Sequence, residues 1–454
     1  MMKRKQLLAM VAILACLPAI NSVRADEVAL TIYNGDFALV REIRSVTLSK
    51  GRESVRFGDV AARIDPTSVR IRSLTAPEKV SILEQNYEYD LIDSRRLLQK
   101  YLDQDIRLLA KDERFFEGTL LSAADDLILR DASGQIKIIK ASEVQIVEFP
   151  QLPQGLITRP TLVWLLDSER SGDHQIEVSY LTDGVDWHAE YVAMVNQSDT
   201  RLELGGWVSI DNRSGATYEQ ASLKLVAGDV HRVAPKPKAM EFERAAQAPV
   251  GMGVPQFEEQ AFFEYHLYTL KRPATVADRQ IKQLTLFPEA EVAVRKILIY
   301  DGGRGDTRVQ VNLEFDNSEQ NELGIPLPEG KLRVYKMDAD KSLQFVGEDL
   351  IEHTPKNEKI RVFLGHAFDV VGERNQTQTR KLSDRSREES YEIRIRNHKE
   401  ETVKVVAVEH LRGDWTIVQS SHEYNKKDAS TVEFPLEVSS NGEAVVTYTV
   451  RFQW

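Results

Sequence analysis

Three stretches of this chain share one design: an apolar residue, any residue, a second apolar residue, any residue, then asparagine. They are Val208-x-Ile210-x-Asn212, Leu313-x-Phe315-x-Asn317 and Ile393-x-Ile395-x-Asn397. Each leads through a polar turn into another alternating strand, marked by Leu223 and Leu225, by Leu332 and Val334, and by Val403 and Val405. Period two with one apolar face, and asparagine at the strand exit, is what stacked antiparallel sheets require. The spacings differ between the three, so the likeness is one of local design. It predicts a mainly β fold of tandem antiparallel β-sandwich modules.

The same alternation runs elsewhere. Val28, Leu30 and Ile32 precede the hairpin signal Asn34-Gly35, and Phe37 and Leu39 begin the return strand. One short helix interrupts, with Asp93 or Ser94 as cap and Leu97, Leu98, Tyr101 and Leu102 at helical spacing. From Ile106 to Phe149 the pattern is β again. Gly118 inside a strand and the turn from Asp131 to Gly134 predict an inserted small SH3-like or Sm-like barrel. Between His231 and Gln260 prolines accumulate without an apolar period, which predicts a flexible loop.

At 454 residues the chain exceeds one ordinary domain. The expected order is a signal peptide (1–25), an N-terminal β region (26–92) and the helix with its barrel (93–150). A first sandwich region (151–230), the flexible loop (231–260), a second sandwich region (261–384) and a C-terminal one (385–454) follow.

The first residues predict a compartment. Lys3, Arg4 and Lys5 form a basic start, Leu7 to Leu17 an apolar core, and Val23-Arg24-Ala25 a small-residue cleavage site. Cleavage after Ala25 leaves Asp26 first and sends the chain to the periplasm or the medium. The weaker rival is lipidation at Cys16, where the preceding Ile13-Leu14-Ala15 fits a lipoprotein signal poorly.

Cys16 is the only cysteine, so the mature chain has no disulfide, thiol nucleophile or thiolate ligand. Loss of Lys3, Arg4, Lys5 and Arg24 takes the formal charge from −11 to −15. Such acidity disfavours nucleic acid and anionic lipid surfaces, whatever an Sm-like segment suggests.

Signatures of chemistry are absent from the sequence. Ser214-Gly215 lacks the preceding glycine of a nucleophile elbow, and Glu352-His353 and Glu409-His410 lack a second spaced histidine. Gly251-Met252-Gly253 runs into Val-Pro, which gives no phosphate loop. His353 and His366 flank a strand and raise a metal site, but two histidines without a third ligand fall short of one. The Arg304-Gly305-Asp306 triplet reads as turn chemistry. No cofactor or metal is expected.

Trp187, Tyr191 and Asn212 are the candidate binding residues. Trp187, Ala189, Tyr191 and Ala193 share a strand face by period two, so a core stripe competes with a ligand platform.

The stretch Tyr180-Leu-Thr-Asp-Gly-Val-Asp-Trp-His-Ala-Glu-Tyr191, followed by Asn212 to Gly215, resembles a bacterial family known as domain of unknown function 4139. Tyr265-His266-Leu267-Tyr268 with Arg272-Pro273, the run Leu323 to Gly330, and Gly347-Glu348-Asp349 extend the likeness over essentially the whole mature chain. Tyr218 stands where the pattern often has tryptophan. The resemblance implies an exported, β-rich protein, some relatives carrying a mucoidy-inhibitor label, and it implies no catalytic residues.

The expected function is therefore an exported, non-catalytic binding or scaffolding protein of the cell envelope, its partner an envelope protein or glycan. One alternative is an envelope hydrolase with a carboxylate pair. The other is an outer-membrane β-barrel, suggested by the alternating end from Val446 to Trp454 and opposed by charges such as Glu392, Arg394 and Arg396.

Overall fold

A computed structural model describes residues 25–89, 94–149, 159–228, 230–232 and 256–454. Residues 1–24 of the predicted signal peptide, with Cys16, lie outside the described residues, as do Asp93 and 233–255 of the predicted loop. Among the described residues the fold is mainly β: several antiparallel sheets, one α-helix and no closed barrel. These residues form two compact units, one of 25–29, 39–89, 94–149, 159–183 and 214–218, the other of 30–38, 184–213, 219–228, 230–232 and 256–454.

In the first unit, strand Thr161–Ser168 lies between Gly51–Gly58 and Val80–Glu88, antiparallel to both. Strand Gly172–Asp183 pairs antiparallel with Arg70–Ser73. A charged pair sits inside this unit. Glu42 and Arg44 are each 4% exposed, and Arg44 Nε and Nη2 bond Glu42 Oε2 at 3.0 and 2.5 Å. Tyr180 donates to Glu42 Oε1 (3.1 Å), and the Arg44 guanidinium lies 3.7 Å from the Phe57 ring centre. A buried ion pair persists only when its remaining valences are met, and here they are.

The helix Ser94–Lys100 lays Leu97 and Leu98 on a separate small core built from Tyr101, Ile106, Leu108, Leu120 and Leu129. Leu102, expected on the same face, is exposed, because the helix has ended at Lys100. The expected small barrel is a five-stranded antiparallel sheet. Its order is Val144–Glu148, Asp105–Ala110, Phe115–Ser122, Leu127–Arg130, Ile136–Ile139, with the last strand of this segment returning beside its first. The two edge strands, Val144–Glu148 and Ile136–Ile139, do not pair, so the sheet stays open. Gly118 is required by close approach: a Cβ there would stand 2.4 Å from the Arg130 carbonyl oxygen.

The second unit holds a five-stranded sheet in the order Gln280–Ala293, Arg201–Asn212, Val185–Val195, Gly330–Met337, Leu343–Ile351. It also holds a nine-stranded sheet, running from Asp414–Ser420 through Gly442–Gln453, Ser386–Asn397, Lys359–Ser383, Arg308–Asp316, Arg295–Asp301, Val403–His410 and Thr431–Val438 to Asn425–Lys426. The nine strands do not lie flat. Phe434 of the eighth strand and Tyr448 of the second have ring centres 5.3 Å apart, and one core cluster draws on both ends. The sheet thus folds over into its own two-layered core.

Both sheets depart from the antiparallel expectation at one place. Val185–Val195 runs parallel to Gly330–Met337, and Arg295–Asp301 parallel to Val403–His410. Each pair is joined through long intervening chain, as parallel neighbours must be. Gly330 permits the first: a Cβ would meet the Ala189 carbonyl oxygen at 2.2 Å.

Strand structure resumes before the predicted end of the loop, at Phe257–Phe262, which forms a hairpin with Tyr265–Leu270. Among the described residues no sheet closes on itself, which a membrane-spanning barrel requires. No described helix is long and apolar enough to cross a membrane.

Candidate functional site

The alternation of Val185–Val195 is strict in burial: Val185, Trp187, Ala189, Tyr191, Ala193 and Val195 are inside, the residues between them less so. Trp187 is 1% exposed and Tyr191 is fully buried. A buried indole N–H or phenol needs an acceptor. Trp187 Nε1 donates to the Val226 carbonyl (3.2 Å) and Tyr191 Oη to the Pro328 carbonyl (2.7 Å). Burial pushes the Tyr191 hydroxyl well above the ordinary phenol range. Asn212 is also fully buried, its amide donating to the Val276 carbonyl at 3.2 Å. The three candidate binding residues therefore lie in one packed framework with their polar groups on backbone.

The other two asparagines of the repeat have the same fate. Asn317 Nδ2 donates to the carbonyls of Ile325 (2.7 Å) and Pro355 (3.0 Å), and its Oδ1 accepts from Gly324 N–H. Asn397 Nδ2 donates to those of Glu401 (2.8 Å) and Ser439 (2.9 Å), while its Oδ1 accepts from Lys399 N–H. An amide offers donors and an acceptor to the loop that must leave a buried strand, so one side chain fixes the exit.

Ionisable groups gather at several further places, among them these. On the outer face of the five-stranded sheet, Glu190 accepts from Ser209 Oγ and Gln283 Nε2, both at 3.0 Å, with Arg333 at 3.5 Å. The neighbouring His188, opposed by partial burial and aided by Ser209 and Arg333, holds this carboxyl down at about 2. In the nine-stranded sheet, Glu409 is 1% exposed and binds Arg374 Nε through both oxygens (2.8 and 3.0 Å). Tyr448 donates to Glu409 Oε2 at 2.6 Å, and the Arg374 guanidinium stands 4.0 Å from the Tyr391 ring centre. Burial alone would lower the Arg374 pKa, but the bonds and charge of Glu409 raise it. The cluster closes on itself and leaves Glu409 no face for a substrate. Sequence reasoning missed it, since its members lie on four separate strands.

His353 and His366 do not share a ligand position. His353 Nδ1 accepts from Glu329 N–H at 3.0 Å, and His366 packs edge-on to Phe363. Among the described residues no three His, Cys, Asp or Glu side chains converge as metal ligands do. Asp306 of the Arg-Gly-Asp triplet binds Arg308, which lowers its carboxyl to about 2, so this aspartate completes a turn.

Set beside known proteins, residues 176–454 match a family profile described as domain of unknown function (DUF4139). The chain belongs to the DUF4139 family. The matched span begins within strand Gly172–Asp183, so the shown likeness is narrower than the whole-chain likeness expected from the motifs. The DUF4139 region holds the Trp187 stripe, all three asparagine exits and the Glu409 cluster. No curated protein matches the chain.

Proposed function

We propose that this DUF4139 protein is exported to the cell envelope, periplasmic or secreted, and acts there by binding or scaffolding without chemistry of its own. One observation carries the reading. The residues that mark the family motif, Trp187, Tyr191 and Asn212, give their polar atoms to backbone carbonyls inside the framework. Recognition then falls to loops and strand ends carried on rigid sheets, where binding surfaces commonly lie. The buried acids support the same reading. Glu42 and Glu409 are each held by an arginine and a tyrosine, whereas a general acid or base must reach its substrate.

Export is tested by fractionating cells that make the full chain and weighing the recovered protein. The expected species lies in the periplasm or medium and begins at Asp26. A cytoplasmic species that keeps Met1 or its neighbours overturns the reading.

A further inference from the structure

We infer that a groove in the nine-stranded sheet, between strands Asp414–Ser420 and Asn425–Lys426, is a binding site for a neutral saccharide. This rests on the envelope-binding reading above and names its ligand class. The groove is a shallow, open concavity of about 700 Å³ lined by residues 417–425.

Its shape is built in. The ladder between Asp414–Ser420 and Gly442–Gln453 slips register between Ile417 and Gln419, so Val418 is a bulge residue, and bulges re-aim side chains. The chain beyond is pinned to the neighbouring strand. Ser421 N–H donates to the Thr447 carbonyl and Thr447 N–H to Ser421 Oγ, both at 2.9 Å. Ser420 Oγ donates to the His422 carbonyl at 2.6 Å, and Asn425–Lys426 then joins Thr431–Val438. A ligand entering here would order little of the protein, which favours binding.

The lining has the chemistry of sugar recognition. Tyr424 is 40% exposed, and its ring is backed by the fully buried Phe434 at 6.0 Å, so it forms a fixed aromatic platform. A pyranose presents an apolar C–H face that lies on such a ring, while its hydroxyls point to the rim. On the rim stand Gln419, Glu423 and Asn425, all three exposed. Two amides and a carboxylate supply both donors and acceptors, as a hydroxyl demands. Lys426, the nearest cation along the chain, is turned to the Trp415 ring 4.3 Å away. His422 also lines the groove, its Nδ1 2.9 Å from Ser421 Oγ. With the Glu423 carboxylate in the lining and no lysine or arginine there, an anionic ligand is disfavoured and a neutral one preferred.

The test uses the purified full chain with three neutral trisaccharides (chitotriose, cellotriose, maltotriose) and anionic trigalacturonate, followed by calorimetry and saturation-transfer NMR. At least one neutral trisaccharide should bind saturably. Tyr424→Ala should weaken it about tenfold or more, Asn425→Ala about threefold, and Tyr424→Phe less than about twofold. Asn425→Ala and Gln419→Ala carry the test should Tyr424→Ala disturb folding. No saturable neutral binding, binding of trigalacturonate alone, or binding indifferent to these substitutions overturns the inference. A chain that is exported and holds an envelope protein yet binds none of these sugars loses this inference and keeps the reading above.

Discussion

The indole nitrogen of Trp187 donates to the carbonyl of Val226 at 3.2 Å, tying the strand Val185–Val195 to the strand Tyr218–Ala227. Tyr268 packs on the same indole at 6.3 Å. Truncation here removes both a large buried ring and a hydrogen bond. Trp187→Ala should cost about 3–5 kcal/mol. Trp187→Phe keeps most of the packing but orphans the carbonyl, and should cost about 1–3 kcal/mol. Urea denaturation of the two variants checks the order.

The asparagine exits give a second prediction. Asn317→Ala and Asn397→Ala each strip a buried loop exit of four side-chain hydrogen bonds and should each cost about 2–4 kcal/mol. Exposed Asn425→Ala should stay within about 0.5 kcal/mol. Equal melting of all three would refute the account of the repeat.

Glu409 offers a third. Glu409→Ala leaves the half-buried Arg374 charged without its partner and should cost up to about 3–5 kcal/mol. Joint replacement, Arg374→Met with Glu409→Leu, should recover much of that loss. A double-mutant cycle on denaturation midpoints reads the coupling, and a coupling near zero contradicts the description of the cluster.

Acid should unfold the chain through specific carboxyls. Glu314, 5% exposed, accepts from Arg361, Arg295 and Lys359; burial raises its pKa, but these partners outweigh it and hold it at about 2. Glu190 is held equally low. A depressed carboxyl contributes stability that is complete above its unfolded value, near 4.5, and is lost as pH falls through about 2. The melting temperature should therefore fall across that window, and fall less in Glu190→Gln. A flat profile there for the wild type would count against both assignments.

Much of the framework is legible in the sequence because it obeys period two. Val208, Ile210, Leu313, Phe315, Ile393 and Ile395 are all buried, and the asparagine after each pair sits where the strand leaves the core. The parallel pairings were not legible, since nothing local in Val185–Val195 specifies Gly330–Met337 as a neighbour. The same holds for Glu409 and Arg374, which sit on separate strands that alternation places but does not pair. The groove left no signal either. Gln419 to Asn425 reads as an ordinary polar turn until the register slip and the pinning of Ser421 give it a shape.

The central claim is binding without bond-making, and one measurement addresses it directly. Envelope glycan labelled at its reducing end is incubated with the purified chain, and retained and released label are followed together. The account predicts saturable retention of intact glycan and release no faster than in buffer. Release that exceeds one equivalent per protein molecule would show turnover and contradict it.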